Sequence, residues 1–208
     1  MSYKILNEDC LEGMKKIPAG SVDMIATDPP YCVGATSNGT KSTFSDFNLM
    51  RPFWELCFTE WQRVLKDGGH IYLCTDWRTY PFLYPIMIRF FDVRNLIVWD
   101  YLWMKAGNFY RPTHEFIMFA TTGQAERQFA KTETDIFRVR CVNYTKKRLH
   151  SAQKPVELFE RMITNSSRAD DTVLDCFMGS GTTGVACINT GRNFLGFEID
   201  EGCRLIFF

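Results

Sequence analysis

The chain has no run of about 20 uninterrupted apolar residues, the length a helix needs to cross a bilayer, although 46% of its 208 residues are hydrophobic. That apolar content is expected to form one sizeable core, and the length suits a single domain over 1–208. The start, Met1-Ser2-Tyr3-Lys4, lacks the apolar segment of a secretory signal, so the expected location is cytoplasmic. No Cys-x-x-Cys pair occurs among the cysteines at 10, 32, 57, 74, 141, 176, 187 and 203. Structural metal sites draw their ligands from short spacings, so no metal site is expected. In a reducing compartment the thiols stay free. The formal net charge is zero, which argues against a large, non-specific grip on a polyanion. Internal repeats and low-complexity tracts are absent as well.

What is present is an alternation of short apolar runs with helical patterns. The periodicity predicts strands at 4–6, 22–27, 70–74, 95–103, 115–120, 172–176 and 193–198, and helices at 10–17, 52–65, 81–91, 156–163 and 181–190. Residues 32–49 read as a loop, and 121–150 are polar and irregular. Trp99, Tyr101, Trp103 and Met104 are expected in the core. Strands alternating with helices give an α/β fold with a largely parallel sheet.

Directly after the apolar strand 22–27 comes Asp28-Pro29-Pro30-Tyr31. Open α/β sheets bind ligands beyond the carboxyl ends of their strands. Each proline lacks an N–H and restricts the backbone. The segment therefore presents acceptors: the Pro29 carbonyl and the Asp28 carboxylate, ionised by default at a pKa of about 3.9. Two acceptors and a ring match an exocyclic amino group on a planar heterocycle. The amine's lone pair is delocalised into its ring. Acceptors pulling on both N–H bonds favour a tetrahedral nitrogen and free that pair, a stabilisation realised mostly in the transition state. Stacking by Tyr31, about 1–3 kcal/mol, offsets much of the few kcal/mol needed to extrude a base from a duplex. An Asp-Pro pair alone is more often a plain turn; four such residues behind an apolar strand favour the chemical reading.

A second motif spans 175–184. Gly179, Gly181 and Gly184 spell G-x-G-x-x-G between a predicted strand and a predicted helix, and Glu198 follows at the end of the next strand. Such glycines let a cofactor approach the backbone, and an acid about 20 residues on can take two ribose hydroxyls. Alone, this pattern equally fits an NAD-dependent dehydrogenase. No Gly-Lys-Ser/Thr follows, which excludes a phosphate-binding P-loop. A dehydrogenase carries its glycines near the start of its cofactor domain. Here a whole sheet precedes them, and hydride transfer has no use for Asp28-Pro29-Pro30-Tyr31.

With both motifs in place, the chain resembles the amino-methyltransferases of DNA (adenine N6 or cytosine N4) in the β-type order, with the tetrapeptide ahead of the cofactor glycines. The likeness runs through 7–31, 98–107, 111–120, 150–163, 175–187 and 196–200. It implies a Rossmann-like methyltransferase fold: a mostly parallel twisted sheet, helices on both faces, and a circularly permuted motif order. It implies S-adenosylmethionine as cofactor and double-stranded DNA as substrate, with the target base flipped out; a homodimer is a further expectation. Asp28, Pro29, Pro30 and Tyr31 would hold the base. The cofactor would be met by Asp9, Cys10, Asp28, Gln153, Lys154, Asp175, Phe177, Gly179, Gly181, Thr182 and Glu198, with Glu198 on the ribose, Gln153 and Lys154 at the methionine carboxylate, and Asp9 and Cys10 near the adenine ring. His114 and Glu115 match a family pattern and are read as structural. The resemblance also implies in-line attack of the amine on the methyl, without a covalent enzyme intermediate. The absence of a Pro-Cys dipeptide disfavours cytosine-C5 chemistry. The leading Asp points to adenine N6, with cytosine N4 as the alternative. It also speaks against protein amide enzymes, which carry Asn there.

The resemblance places target recognition in 121–150, a short segment expected to read a short sequence. Arg138, Arg140, Lys146, Lys147 and Arg148 crowd into this stretch and are expected to contact phosphates. The family continues past 196–200 into a helix, whereas this chain stops at Leu205-Ile206-Phe207-Phe208. That ending fits a truncated gene whose product folds with reduced stability. A non-catalytic relative that only binds DNA or cofactor is the corresponding alternative.

Overall fold

Four of the six residues 22–27 are apolar, and five of the six are buried. A strand covered on both faces belongs inside a sheet. The computed structural model describes residues 1–31, 36–37, 40–41, 46–107, 109–125, 133–142 and 153–201. It places this strand, β2 (Val22–Thr27), at the centre of an eight-stranded sheet. The other elements are β1 (Tyr3–Leu6), α1 (Cys10–Met14), β3 (Thr36–Ser37), β4 (Thr40–Lys41), α2 (Phe47–Val64), β5 (Leu65–Thr75), α3 (Tyr80–Met87), β6 (Asp92–Asp100), β7 (His114–Thr121), β8 (Ile136–Arg138), α4 (Val156–Ser166), β9 (Thr172–Asp175), α5 (Thr182–Thr190) and β10 (Asn193–Phe197). β3 and β4 pair only with each other.

The sheet order is β1-β10-β9-β2-β5-β7-β6-β8. Only β7 runs against the rest, pairing antiparallel with both β5 and β6. Side chains alternate across the sheet as a pleat requires. From β5, Ile71 and Leu73 enter one core beneath α1, α2 and α3, whereas Tyr72 and Cys74 enter the other beneath α4 and α5. Helices thus cover both faces. The connection from β2 leads through α2 to β5 on one side, and that from β9 leads through α5 to β10 on the other. Diverging connections leave a crevice at the carboxyl ends between β2 and β9, where open sheets bind ligands.

Several boundaries differ from those read in the sequence. α2 starts at Phe47 with Asp46 as its cap, the carboxylate accepting from the Asn48 N–H at 2.8 Å. Pro52 lies inside the helix and does not open it. β6 ends at Asp100, where the Asp100 side chain accepts from the Leu102 N–H and Leu102 turns to φ 54°. Trp99 and Tyr101 are core as expected, but Trp103 and Met104 are exposed at 54% and 48%. The stretch read as irregular contains the edge strand β8. The cysteines among the described residues, Cys10, Cys57, Cys74, Cys141, Cys176 and Cys187, are free thiols. Among those residues no helix is long and apolar enough to cross a membrane. Lys146, Lys147, Arg148 and the ending 205–208 lie outside the described residues.

Candidate active site

The crevice is a cavity of about 670 Å³, within the size of small-molecule sites. β2 delivers Asp28, Pro29, Pro30 and Tyr31 to one wall. The opposite wall is the turn after β9, with Phe177, Met178, Gly179, Ser180 and Thr182. Two residues need their glycine here, since Gly179 and Gly181 have φ of 49° and 81°, a region costly for other side chains. Glu198, just beyond β10, braces this turn. One carboxylate oxygen accepts from the Gly179 N–H and the other from the Asp200 N–H, both at 2.9 Å. A carboxylate offers about four lone-pair sites, so Glu198 keeps acceptor capacity toward the cavity it lines.

The structure sorts the expected cofactor residues. Asp9, Cys10, Asp28, Lys154, Phe177, Gly179, Thr182 and Glu198 line the cavity. Asp9 also caps α1, accepting from the N–H groups of Leu11 and Glu12. Gln153, Asp175 and Gly181 do not line it. Gly181 caps α5. Asp175 lies beneath the floor, accepting from the hydroxyls of Thr27 and Thr183 and from the Phe177 N–H. Burial raises its pKa to about 6 against the pull of those donors. The three bonds tie β2, the glycine turn and α5 into one unit. Met50 and Phe53, from α2, complete an apolar lining with Phe159 and Phe197, and the Phe53 and Phe177 rings lie 6.1 Å apart.

Below the tetrapeptide sits a charged cluster that spacing alone did not reveal. The Lys154 ammonium donates to Asp28 Oδ2 at 2.7 Å and lies 3.1 Å from Glu115 Oε2. It also donates to the Tyr31 hydroxyl at 3.0 Å, which is within donating distance of Asp28 Oδ1 (2.8 Å) and Glu115 (3.0 Å). Lys105 donates to the other Glu115 oxygen at 3.0 Å. Two carboxylates thus balance two ammonium groups, and a buried charge is tolerated only when so paired. Burial raises the Asp28 carboxyl, with Lys154 opposing. Burial pushes Glu115 the same way, but Lys154, Lys105 and two hydrogen bonds outweigh it and hold its pKa at about 2. Burial and the neighbouring carboxylates raise the Tyr31 phenol well above its usual range, so it stays a neutral donor. Lys154 also links the two walls, since its backbone carbonyl accepts from the Thr182 hydroxyl at 3.3 Å.

Of the expected phosphate contacts, Arg138, the last residue of β8, and Arg140, just after it, are exposed at the edge that holds the cavity. His114 is exposed, its ring tilted against that of Phe116 with centroids 5.3 Å apart. Its neighbour Glu115 was matched by the family pattern but read as structural; the only signal for its position was that pattern.

The sequence model of the family described as DNA methylase matches residues 22–207. The DNA adenine methyltransferase YhdJ of Escherichia coli (strain K12) is 31% identical over 232 residues, covering 95% of this chain and 78% of that protein. The M1.HpyAVI–SAM complex superposes with a TM-score of 0.72 at 26% identity, covering 99% and 98% of the two chains. PvuII DNA methyltransferase, cytosine-N4-specific, gives a TM-score of 0.80 at 15% identity over 100% of this chain and 87% of its own, a likeness of fold alone.

Proposed function

The chain belongs to the N6/N4 DNA methylase family, and from that premise we propose that it transfers a methyl group from S-adenosylmethionine to N6 of adenine in DNA. The observation that carries this reading is the meeting of Asp28-Pro29-Pro30-Tyr31 and the Phe177–Gly179 turn in one cavity. The fold, also that of a cytosine-N4 enzyme, does not choose the base. The leading Asp28 and the 31% identity to a DNA adenine methyltransferase support adenine.

The residues present fit the cofactor. Aromatic rings attract a cation, and the lining combines Phe53, Phe177 and Phe197 with the acids Glu8, Asp9, Glu198 and Asp200, a setting suited to a sulfonium-bearing nucleoside. Glu198 would take the ribose hydroxyls and Lys154 the methionine carboxylate, with Asp9 and Cys10 at the adenine end. When bound, S-adenosylmethionine supplies an electrophilic methyl group. The chain does the rest. Asp28 and the Pro29 carbonyl accept the two N–H bonds of the target amine, which localises its lone pair. The Lys154 ammonium favours the ionised form of Asp28. The nitrogen sheds one proton during transfer, and Asp28 is its first acceptor. Tyr31 packs beside the base, and the base reaches the site by flipping from the duplex, as it must to expose its amine.

Residues 121–150 serve target recognition in this reading, with Arg138, Arg140, Lys146, Lys147 and Arg148 on phosphates and the whole chain acting as one catalytic unit. The test is transfer of tritium from methyl-labelled S-adenosylmethionine to unmodified DNA. Acid-precipitable counts are expected with the wild-type protein and not with Asp28→Ala. Counts in neither would refute the enzyme reading and leave a binding protein.

A further inference from the structure

The hairpin joining β6 to β7 contributes nothing to the cavity lining, yet it exposes aromatic side chains that ordinary surfaces bury. Trp103 is half exposed, and Phe109 and Tyr110 are fully exposed at 95% and 102%. It is a built structure. The Tyr101 N–H donates to the Thr113 carbonyl and the Lys105 N–H to the Pro112 carbonyl, both at 2.9 Å. Arg111 Nε closes the tip onto the Lys105 carbonyl at 2.9 Å. The Lys105 side chain ties the stem to Glu115 and lies 4.0 Å from the Tyr101 ring centroid. The tip is therefore anchored to the cluster that holds Asp28.

Topology fixes where this tip stands. β6 ends and β7 begins at the edge where β2 and β9 end, so the hairpin rises beside the cavity mouth. Trp77 and Arg78, exposed after β5, and Arg138 and Arg140, at and just after the end of β8, share that edge. Residues 101–113 hold Lys105 and Arg111 and no acid. Exposed rings flanked by cations fit a polyanion that offers stackable rings. They fit a second copy of this chain poorly, because a two-fold interface sets a patch against itself and would bring these cations together.

We infer that Phe109 and Tyr110 stack into the DNA duplex beside the target base and hold it open, with Arg111 and Arg78 on the flanking phosphates. The inference rests on the DNA-methyltransferase reading above. It is tested with Phe109→Ala/Tyr110→Ala and a synthetic duplex carrying the sequence mapped as methylated, prepared with the target base either paired or mispaired. A mispaired base needs less help to leave the stack. Loss of a stacked ring costs about 5- to 150-fold, so kcat/KM on the paired duplex is expected to fall at least tenfold. On the mispaired duplex it should stay within about threefold, with cofactor affinity unchanged. Wild-type rates on the paired duplex, or equal losses on both, overturn the inference. So does a shift in oligomeric state of the DNA-free variant in sedimentation, which would make the hairpin an interface between copies. A wild-type protein that methylates neither duplex overturns the enzyme reading and this inference with it.

Discussion

Replacing Glu115 with Gln keeps the shape of the side chain and removes one of the two negative charges from the buried cluster. In the folded protein Lys154, Lys105 and two hydrogen bonds overcome burial and lower the Glu115 pKa from its ordinary 4.5 to about 2. A shift of that size stabilises the ionised form by about 3 kcal/mol, at roughly 1.36 kcal/mol per pKa unit. Its sign sets the pH dependence. A depressed folded pKa contributes stability that is full above the unfolded value and lost as pH falls through the folded one. Glu115→Gln should therefore be less stable than wild type by about 3 kcal/mol at pH 7, in the range expected when one partner of a buried ion pair is removed. The gap should narrow to less than half by pH 3, where wild-type Glu115 is almost wholly protonated in the unfolded chain and still mostly ionised in the folded one. Urea denaturation of both proteins between pH 7 and pH 3 reads this difference. A gap below about 1 kcal/mol at pH 7, or one that does not change with pH, would show that the cluster does not hold Glu115 as argued.

Other outcomes follow from the same geometry. Asp28→Asn removes the anionic acceptor and should lower kcat by roughly 10²–10³-fold, as losing one preorganised transition-state contact does, with kcat from steady-state methyl transfer as the check. Asp175 behaves oppositely to Glu115: its folded pKa, raised by burial from 3.8 to about 6, gives stability that is full below pH 3.8 and lost as pH rises through about 6. That is a fall of about 3 kcal/mol, which denaturation of wild type against Asp175→Asn between pH 4 and pH 7 should reveal. Gly13→Ala places a Cβ 2.2 Å from Phe197 Cε1, an overpacking expected to cost about 1–3 kcal/mol in a melt. Because Phe197 lines the cavity, that substitution should also weaken cofactor binding in a titration.

Most of the α/β layout and both walls of the cavity are legible because their signals are local. The tetrapeptide ends a strand of unmistakable apolar character, and Gly179 and Gly181 adopt the left-handed conformations that only such residues take cheaply. Boundaries failed where side chains overrule propensity. Asp46 caps α2 a turn and more before Pro52, and the Asp100 carboxylate turns the chain at Leu102, which sends Trp103 and Met104 outward when hydropathy alone sends them in. The charged cluster was the least legible part. Glu115 reaches Tyr31 across 84 residues of sequence because β7 alone runs antiparallel and brings its start to the edge where the parallel strands end. No spacing encodes that meeting. Asp175, read as a cofactor contact, stands outside the cavity lining, and its carboxylate, accepting from two hydroxyls and an N–H, organises the turn.

In the proposed reaction the acceptors of Asp28-Pro29-Pro30-Tyr31 activate the amine of adenine toward the methyl group of S-adenosylmethionine. The most direct measurement is nucleoside mass spectrometry of unmodified DNA after incubation with the protein and the cofactor, followed by complete digestion. N6-methyladenine is expected with wild type and none with Asp28→Ala. N4-methylcytosine, or no modified nucleoside from the wild-type protein, would contradict it.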